Sequence, residues 1–185
     1  MSLLSILTVI TKSIDKINDK VGEYLSFFLF GFFILLLLEV FLRYVFNSPT
    51  VWANELSQML FGAYAILTGG HIMRIGGHVN VDIVYSRLST KKKAVLDIIT
   101  SVLFFLFSGM LLVLGSEMAW DSLSRLEHSE SAWNPPIYPI RLMIPLAAIL
   151  LILQGIAKLI RDITLLFGIE LEADSPTSTA EGESL

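Results

Sequence analysis

The chain has no cysteine, which excludes disulfides, thiol nucleophiles and cysteine-ligated metals. Charge is scarce as well: Asp, Glu, Lys and Arg make up 16% of the residues, against 54% hydrophobic ones. Ordinary soluble domains carry about 25% charged residues, so this composition points away from a chain surrounded by water. The net charge of −4 comes partly from the C-terminal stretch "ELEADSPTSTAEGESL" and offers nothing to a nucleic acid. Catalytic patterns are missing too. There is no phosphate-binding glycine loop, no helical His-x-x-x-His and no serine in a nucleophile-elbow context. The sequence therefore predicts no enzyme, no metal site and no cofactor.

What the chain has is apolar length. Mean hydropathy is +0.70, and the apolar runs reach the roughly 20 residues needed to cross a hydrocarbon core of about 30 Å. An all-α membrane protein with four transmembrane helices is expected, with spans at about 22–46, 52–73, 94–118 and 139–167. Each boundary is punctuated. Asn47-Ser48-Pro49 separates the first two spans, with Ser48 placed to cap a helix that has Pro49 at its first position. Asn134-Pro135-Pro136 and Pro139 precede the fourth span, and Pro145 inside it is expected to kink it. Residues 1–169 read as one membrane domain, and residues 170–185 as a disordered acidic tail.

Lys and Arg fall on one side of that plan. Lys12, Lys16 and Lys20 precede the first span. Arg74, Arg87, Lys91, Lys92 and Lys93 lie between the second and third, and Lys158 and Arg161 end the fourth. The loop between the third and fourth spans is acidic, with Glu117, Asp121, Glu127 and Glu130 against Arg125 and Arg141. Positive charge stays inside, so both termini are expected in the cytoplasm of a multi-pass inner-membrane protein. Residues 2–20 lack the plan of a secretory leader. Leu3, Leu7, Ile10, Ile14, Ile17 and Val21 instead recur on one helical face, with Lys12, Asp15, Lys16, Asp19 and Lys20 mainly off it. An amphipathic interfacial helix held by membrane lipids is expected there, with docking onto a partner protein as the alternative.

Against this background "ILLLLEVFLRYVF" stands out, because Glu39 and Arg43 lie within an apolar run. A charge at bilayer depth costs at least about 2.5–3.5 kcal/mol, so two of them need a reason. Arg43 can snorkel to the headgroups, whereas Glu39 is a turn deeper. Glu39 and Arg43 stand at i,i+4 in the favourable orientation, and Glu55 at the start of span two is expected at similar depth. The expectation is a structural charge cluster of Glu39, Arg43 and Glu55. In the second loop, Gly69-Gly70 and Gly76-Gly77 each precede a histidine, His71 and His78. The second glycine pair argues against one continuous helix joining them, so capping or partner contact outweighs metal or haem ligation. Val81, Ile83, Val84 and Leu88 suggest a short amphipathic piece near anionic lipid. Gly62, Ala65 and Gly69 permit close helix approach.

The order of these features resembles a known family. "FLRYVFNSPTVWANELSQMLFGAYAILTGGHIMRIGGHVNVDIV" and "ESAWNPPIYPIRLMIPLAAILLILQGIAKLIRDI" are similar to the small membrane subunit of tripartite ATP-independent periplasmic (TRAP) transporters. The matching elements are the Arg-aromatic pair, Trp52, Glu55, the Gly/Ala-rich second half of span two, His78-Val79-x-Val81-Asp82 and Leu153-Gln154-Gly155. Many relatives have a second acidic residue before Glu55, where this chain has Asn54. The resemblance implies a sodium-coupled importer of an organic acid. A periplasmic binding protein delivers the acid, a large membrane subunit carries the transport sites, and the small subunit is a scaffold. Trp52, Gly62, Gly69, His78, Asp82 and Gln154 are the positions expected at partner or helix interfaces. Two other classes remain open. A small proton-coupled exporter would also place a carboxylate in span one, although Arg43 nearby favours its charged form. A haem-binding anchor of a redox enzyme would use His71 and His78.

Overall fold

The computed structural model describes residues 3–75 and 90–169, and the described residues form helices joined by loops. Helix α1 spans Leu3–Val45, α2 Ala53–Leu67, α3 Gly69–Arg74, α4 Thr90–Ser124 and α5 Tyr138–Leu166. The expected fourth span coincides with α5 to within a residue at each end. Helix α4 overruns the expected third span on both sides. Residues 76–89 and 170–185, with the expected surface piece of the second loop and the acidic tail, lie outside the described residues.

Two boundary expectations are corrected. Ser48 does not cap α2, which starts only at Ala53. The Ser48 N–H folds back onto the Leu42 carbonyl at 3.1 Å, and Asn47 takes φ 51°, a left-handed backbone that asparagine tolerates at helix ends. The Asn-Ser-Pro triplet thus closes α1. The interfacial helix expected at 2–20 is not a separate element either, but the N-terminal part of α1, which at 1.5 Å per residue is about 64 Å long. Its expected apolar stripe is split. Ile10 and Ile17 face outward, Ile14 is buried, and the polar face carrying Thr11, Asp15 and Asn18 packs inward.

Residues 52–73, expected to be one span, hold two helices, α2 and α3, which meet at Thr68. The hydrogen-bond ladder runs through the junction: Thr68 N–H donates to Tyr64 at 3.0 Å and Ile72 N–H to Thr68 at 2.9 Å. The end of α5 is conventional. Ile169 N–H returns to the Thr164 carbonyl, and Gly168 supplies the positive φ of 75° that such a stop requires. Helix α4 closes the same way, with Glu127 N–H on Ser122 and Leu126 N–H on Leu123. There Leu126, at φ 46°, stands where glycine is usual.

Helix α5 is the centre, touching α1, α2, α3 and, most extensively, α4. The α4–α5 seam has a sequence cause. Ala94, Ser101, Ser108, Gly115 and Ser122 recur every seven residues along α4, and all but the half-buried Ser101 are buried. A seven-residue repeat of small side chains lets two helices approach closely along a left-handed seam. The hydroxyls of Ser108 and Ser122 have no hydrogen-bond partner, so small size is what the seam takes from them. At Gly115 an added Cβ would lie 2.8 Å from Ile144 and 3.8 Å from the nitrogen of Pro145. Among the described residues three helices, α1, α4 and α5, are long and apolar enough to cross a membrane. Their outer faces are apolar and exposed, as at Phe30, Ile34, Leu103 and Phe107. This is an integral membrane protein.

Candidate functional site

The polar side chains gather at the two ends of the bundle. At the first end Glu39 is buried within α1. Its Oε1 accepts from Arg43 Nε at 3.2 Å and from the Arg43 terminal nitrogen at 2.6 Å. Its Oε2 accepts from the Thr50 N–H at 3.2 Å and the Thr50 hydroxyl at 2.5 Å. The same hydroxyl accepts from the Ala53 N–H at 3.2 Å, so Thr50 joins α1 to the start of α2. Arg43 itself is 48% exposed.

Glu55 does not complete this cluster as expected. It accepts from the Ser131 hydroxyl at 2.5 Å, in the loop that leads into α5. The reason is the loop after α1. It folds back so that Thr50, rather than the first turn of α2, lies against Glu39. Trp52 beside Glu55 packs on Trp133 of the same loop, with ring centres 6.5 Å apart. That loop is fixed from within: Ile137 N–H donates to Glu127 at 2.9 Å, and Arg141 pairs with Glu127 at 2.5 Å.

The opposite end holds a larger network that the sequence reading missed. Asp15, Asn18 and Asp19 of α1 face His71 and Arg74 of α3 and Gln154 and Arg161 of α5. Gln154 Nε2 donates to Asp15 at 3.0 Å, and Asn18 Nδ2 donates to Gln154 Oε1 at 2.9 Å. Arg161 pairs with the second oxygen of Asp15, and Arg74 pairs with Asp19 and lies 3.8 Å from Asp15. Beside it, Lys158 of α5 donates to Asp97 of α4 at 2.7 Å and to Asp162 at 2.9 Å. The signal was present in the i,i+3 and i,i+4 spacing of Asp15, Asn18 and Asp19. Spacing alone places these residues off the apolar stripe and does not say what covers them.

The remaining interface candidates divide. Gln154 is buried inside the chain, where α5 meets α1. Gly69 lies against Leu151 of α5, at 3.9 Å from an added Cβ, whereas Gly62 meets open space within 4 Å. His71 lies 3.4 Å from Asp19 with its ring on Gly22, and no group of three or more metal-ligating side chains occurs among the described residues. His78 and Asp82 lie outside the described residues. Between α1, α2 and the loop before α5 is a cavity of about 390 Å³ lined by apolar side chains, among them Phe28, Met59, Leu60, Trp133 and Met143.

The fold is that of a helical membrane protein, and sequence comparison gives its family. Residues 32–165, well over half of the chain, match the model of the family described as "Tripartite ATP-independent periplasmic transporters, DctQ component", and the chain belongs to that family. It is a TRAP transporter small membrane subunit, a transport component and not an enzyme. It is also 28% identical over 94 residues to the sialic acid TRAP transporter permease protein SiaT of Haemophilus influenzae (strain 86-028NP). The match covers 51% of this chain and 15% of that relative, so this chain spans a small part of the relative's length.

Proposed function

We propose that this chain is the static scaffold of a sodium-coupled TRAP transporter that imports an organic acid. It would work in the inner membrane with a large permease subunit and a periplasmic binding protein. The observation that carries this reading is the state of the two carboxylates buried among the described residues. Asp15 and Glu39 both have cationic partners within the chain, Arg161 and Arg43, and neither is free to hold cargo. The cavity is apolar and suits no organic anion. The sialic acid in the relative's name is an organic acid, which supports the substrate class.

The proposal includes four spans with both termini in the cytoplasm. Helices α2 and α3 together run from Ala53 to Arg74 with the ladder carried through Thr68, which at 1.5 Å per residue gives about 33 Å, enough for the fourth crossing. The Lys and Arg distribution supports the orientation. Reconstitution in liposomes tests the function. The chain alone should give no sodium-driven uptake of an organic acid, and uptake should require the large subunit and the binding protein together. Uptake by the lone chain would refute the scaffold role.

A further inference from the structure

Gln154 is 1% exposed, and its carboxamide is used in both directions. The oxygen accepts from Asn18 at 2.9 Å and the nitrogen donates to Asp15 at 3.0 Å, both on α1. Few side chains can do this. Leucine of similar size does neither, glutamate accepts only, and lysine donates only. The neighbours are shaped around the contact. Gly70 of α3 leaves the space that Asn18 Oδ1 occupies, and an added Cβ at Gly22 would lie 2.5 Å from the His71 ring. Arg161 and Arg74 hold the charges of Asp15 and Asp19 from two different helices. Residues of three helices are thereby keyed to one another around one neutral amide.

The geometry points to Gln154 as a positioning residue. It fixes the N-terminal third of α1 at one angle on α5, so that this arm and the rest of α1 behave as one rigid piece and not as a surface helix on a hinge. The ion pairs of Arg161 and Arg74 tie the arm's carboxylates to α5 and α3 through long, flexible side chains. Two contacts a helical turn apart, at Asp15 and Asn18, define an angle. The apolar positions Ile6, Val9, Ile10 and Ile17 of the arm are exposed among the described residues. In the complex the arm would present a fixed face to the large subunit, a consequence that rests on the function proposed above.

This chain has no cysteine of its own to compete for a label. Spin labels at Val9→Cys and Ile163→Cys, both at exposed positions, report the arm relative to α5 in the full chain co-purified with its large subunit. A second pair, Phe33→Cys and Ile149→Cys, reports the apolar parts of the same helices. The parent chain should give one narrow distance for each pair. Gln154→Leu should lose the narrow arm distance and keep the narrow control distance. Gln154→Glu sets a second carboxylate against Asp15 and should lose it too. Adding Asp15→Asn restores a donor and an acceptor with the charge moved across, and should recover it. A narrow arm distance in Gln154→Leu overturns the proposal. If Gln154→Leu disturbs the control pair as well, the exchange decides: no recovery in the double variant over Gln154→Glu overturns it. Uptake by the reconstituted complex should fall and recover with the arm distance. Normal uptake with a disordered arm would count against the scaffold consequence and leave the positioning result standing.

Discussion

The same substitution should have opposite effects at two glycines of the α4–α5 pair. Gly155 of α5 is buried, and a Cβ built there would run into the edge of Phe104, with Cδ1 and Cζ at 3.1 and 3.2 Å and Cε1 closer still. That ring also packs edge-on to Phe105 at 5.4 Å, so moving it disturbs a second aromatic contact. Gly109 of α4 has nothing within 4 Å of its added Cβ. Glycine to alanine in a helix interior gains up to about 1 kcal/mol from propensity. Forcing an extra carbon into a packed seam costs about 1–3 kcal/mol. Gly109→Ala should therefore be neutral or stabilising by up to about 1 kcal/mol. Gly155→Ala should lose about 0–2 kcal/mol net, once the propensity gain is set against overpacking. Thermal unfolding of both variants in one detergent reads the difference as an ordering of Tm. Phe104→Leu, which removes the ring edge, should restore much of the loss in Gly155→Ala through a favourable coupling between the two sites. Gly155→Ala at least as stable as Gly109→Ala, or a double variant that is merely additive, would refute the steric argument.

Other expectations follow from the charge partners. Lys158→Met removes the cation that bridges Asp97 and Asp162 and should cost about 1–3 kcal/mol in the same melts, whereas Arg125→Ala breaks an exposed pair with Asp121 and should cost about 0–1 kcal/mol. Arg43→Ala should lower the yield of the complex with the large subunit more than Glu55→Gln does, because Glu55 is bonded to Ser131 and not to Arg43; equal losses would put Glu55 back in the cluster. Gly70→Ala should displace Asn18 and disorder the spin-labelled arm as Gln154→Leu does, and an unchanged arm distance would show that the close approach at Gly70 is not needed.

Apolar length was the most legible feature of the sequence. A helix in lipid must satisfy every backbone group internally, so long apolar runs have few alternatives, and α5 could be placed almost to the residue. The Glu39–Arg43 pair was readable because i,i+4 spacing fixes the geometry without knowledge of the rest of the fold. Glu55 was not, because its partner Ser131 is 76 residues away and depends on how the last loop folds. The packing of the arm's polar face is not legible in the sequence for a physical reason. Periodicity tells which residues share a face but not what covers it, and a face with Asp15, Asn18 and Asp19 looks the same whether it meets water or Gln154 and Arg161. The seven-residue repeat from Ala94 to Ser122 is present in the sequence but gives a weak signal, since alanine, serine and glycine carry little hydrophobicity.

The structure also explains why a chain so rich in apolar residues spends its polar ones on joining its own helices. Lipid tails are as apolar as leucine, so burying α1 against α5 gains little from the hydrophobic effect in a membrane. Helix α1 shows this most sharply. Phe27, Phe30, Phe33, Ile34 and Leu37 along its middle are exposed, and its stacked contact with the neighbouring helix is Phe32 on Phe61 at 5.6 Å. What holds it is polar and lies at two levels: Glu39 on Thr50 towards one end, Asn18 and Asp15 on Gln154 towards the other. From Asn18 to Glu39 is about 31 Å at 1.5 Å per residue, close to the roughly 30 Å of a hydrocarbon core. Between the anchors, residues 27–38 carry no charged or hydrogen-bonding side chain, whereas Asp19, Lys20, Glu23 and Ser26 continue the polar end. A helix pinned in this way keeps its orientation while its outward face remains free for lipid or for another subunit. That answers the question posed by Glu39 and Arg43 within an apolar run: the pair is half of the fastening of α1, and its counterpart is the amide of Gln154 at the far end.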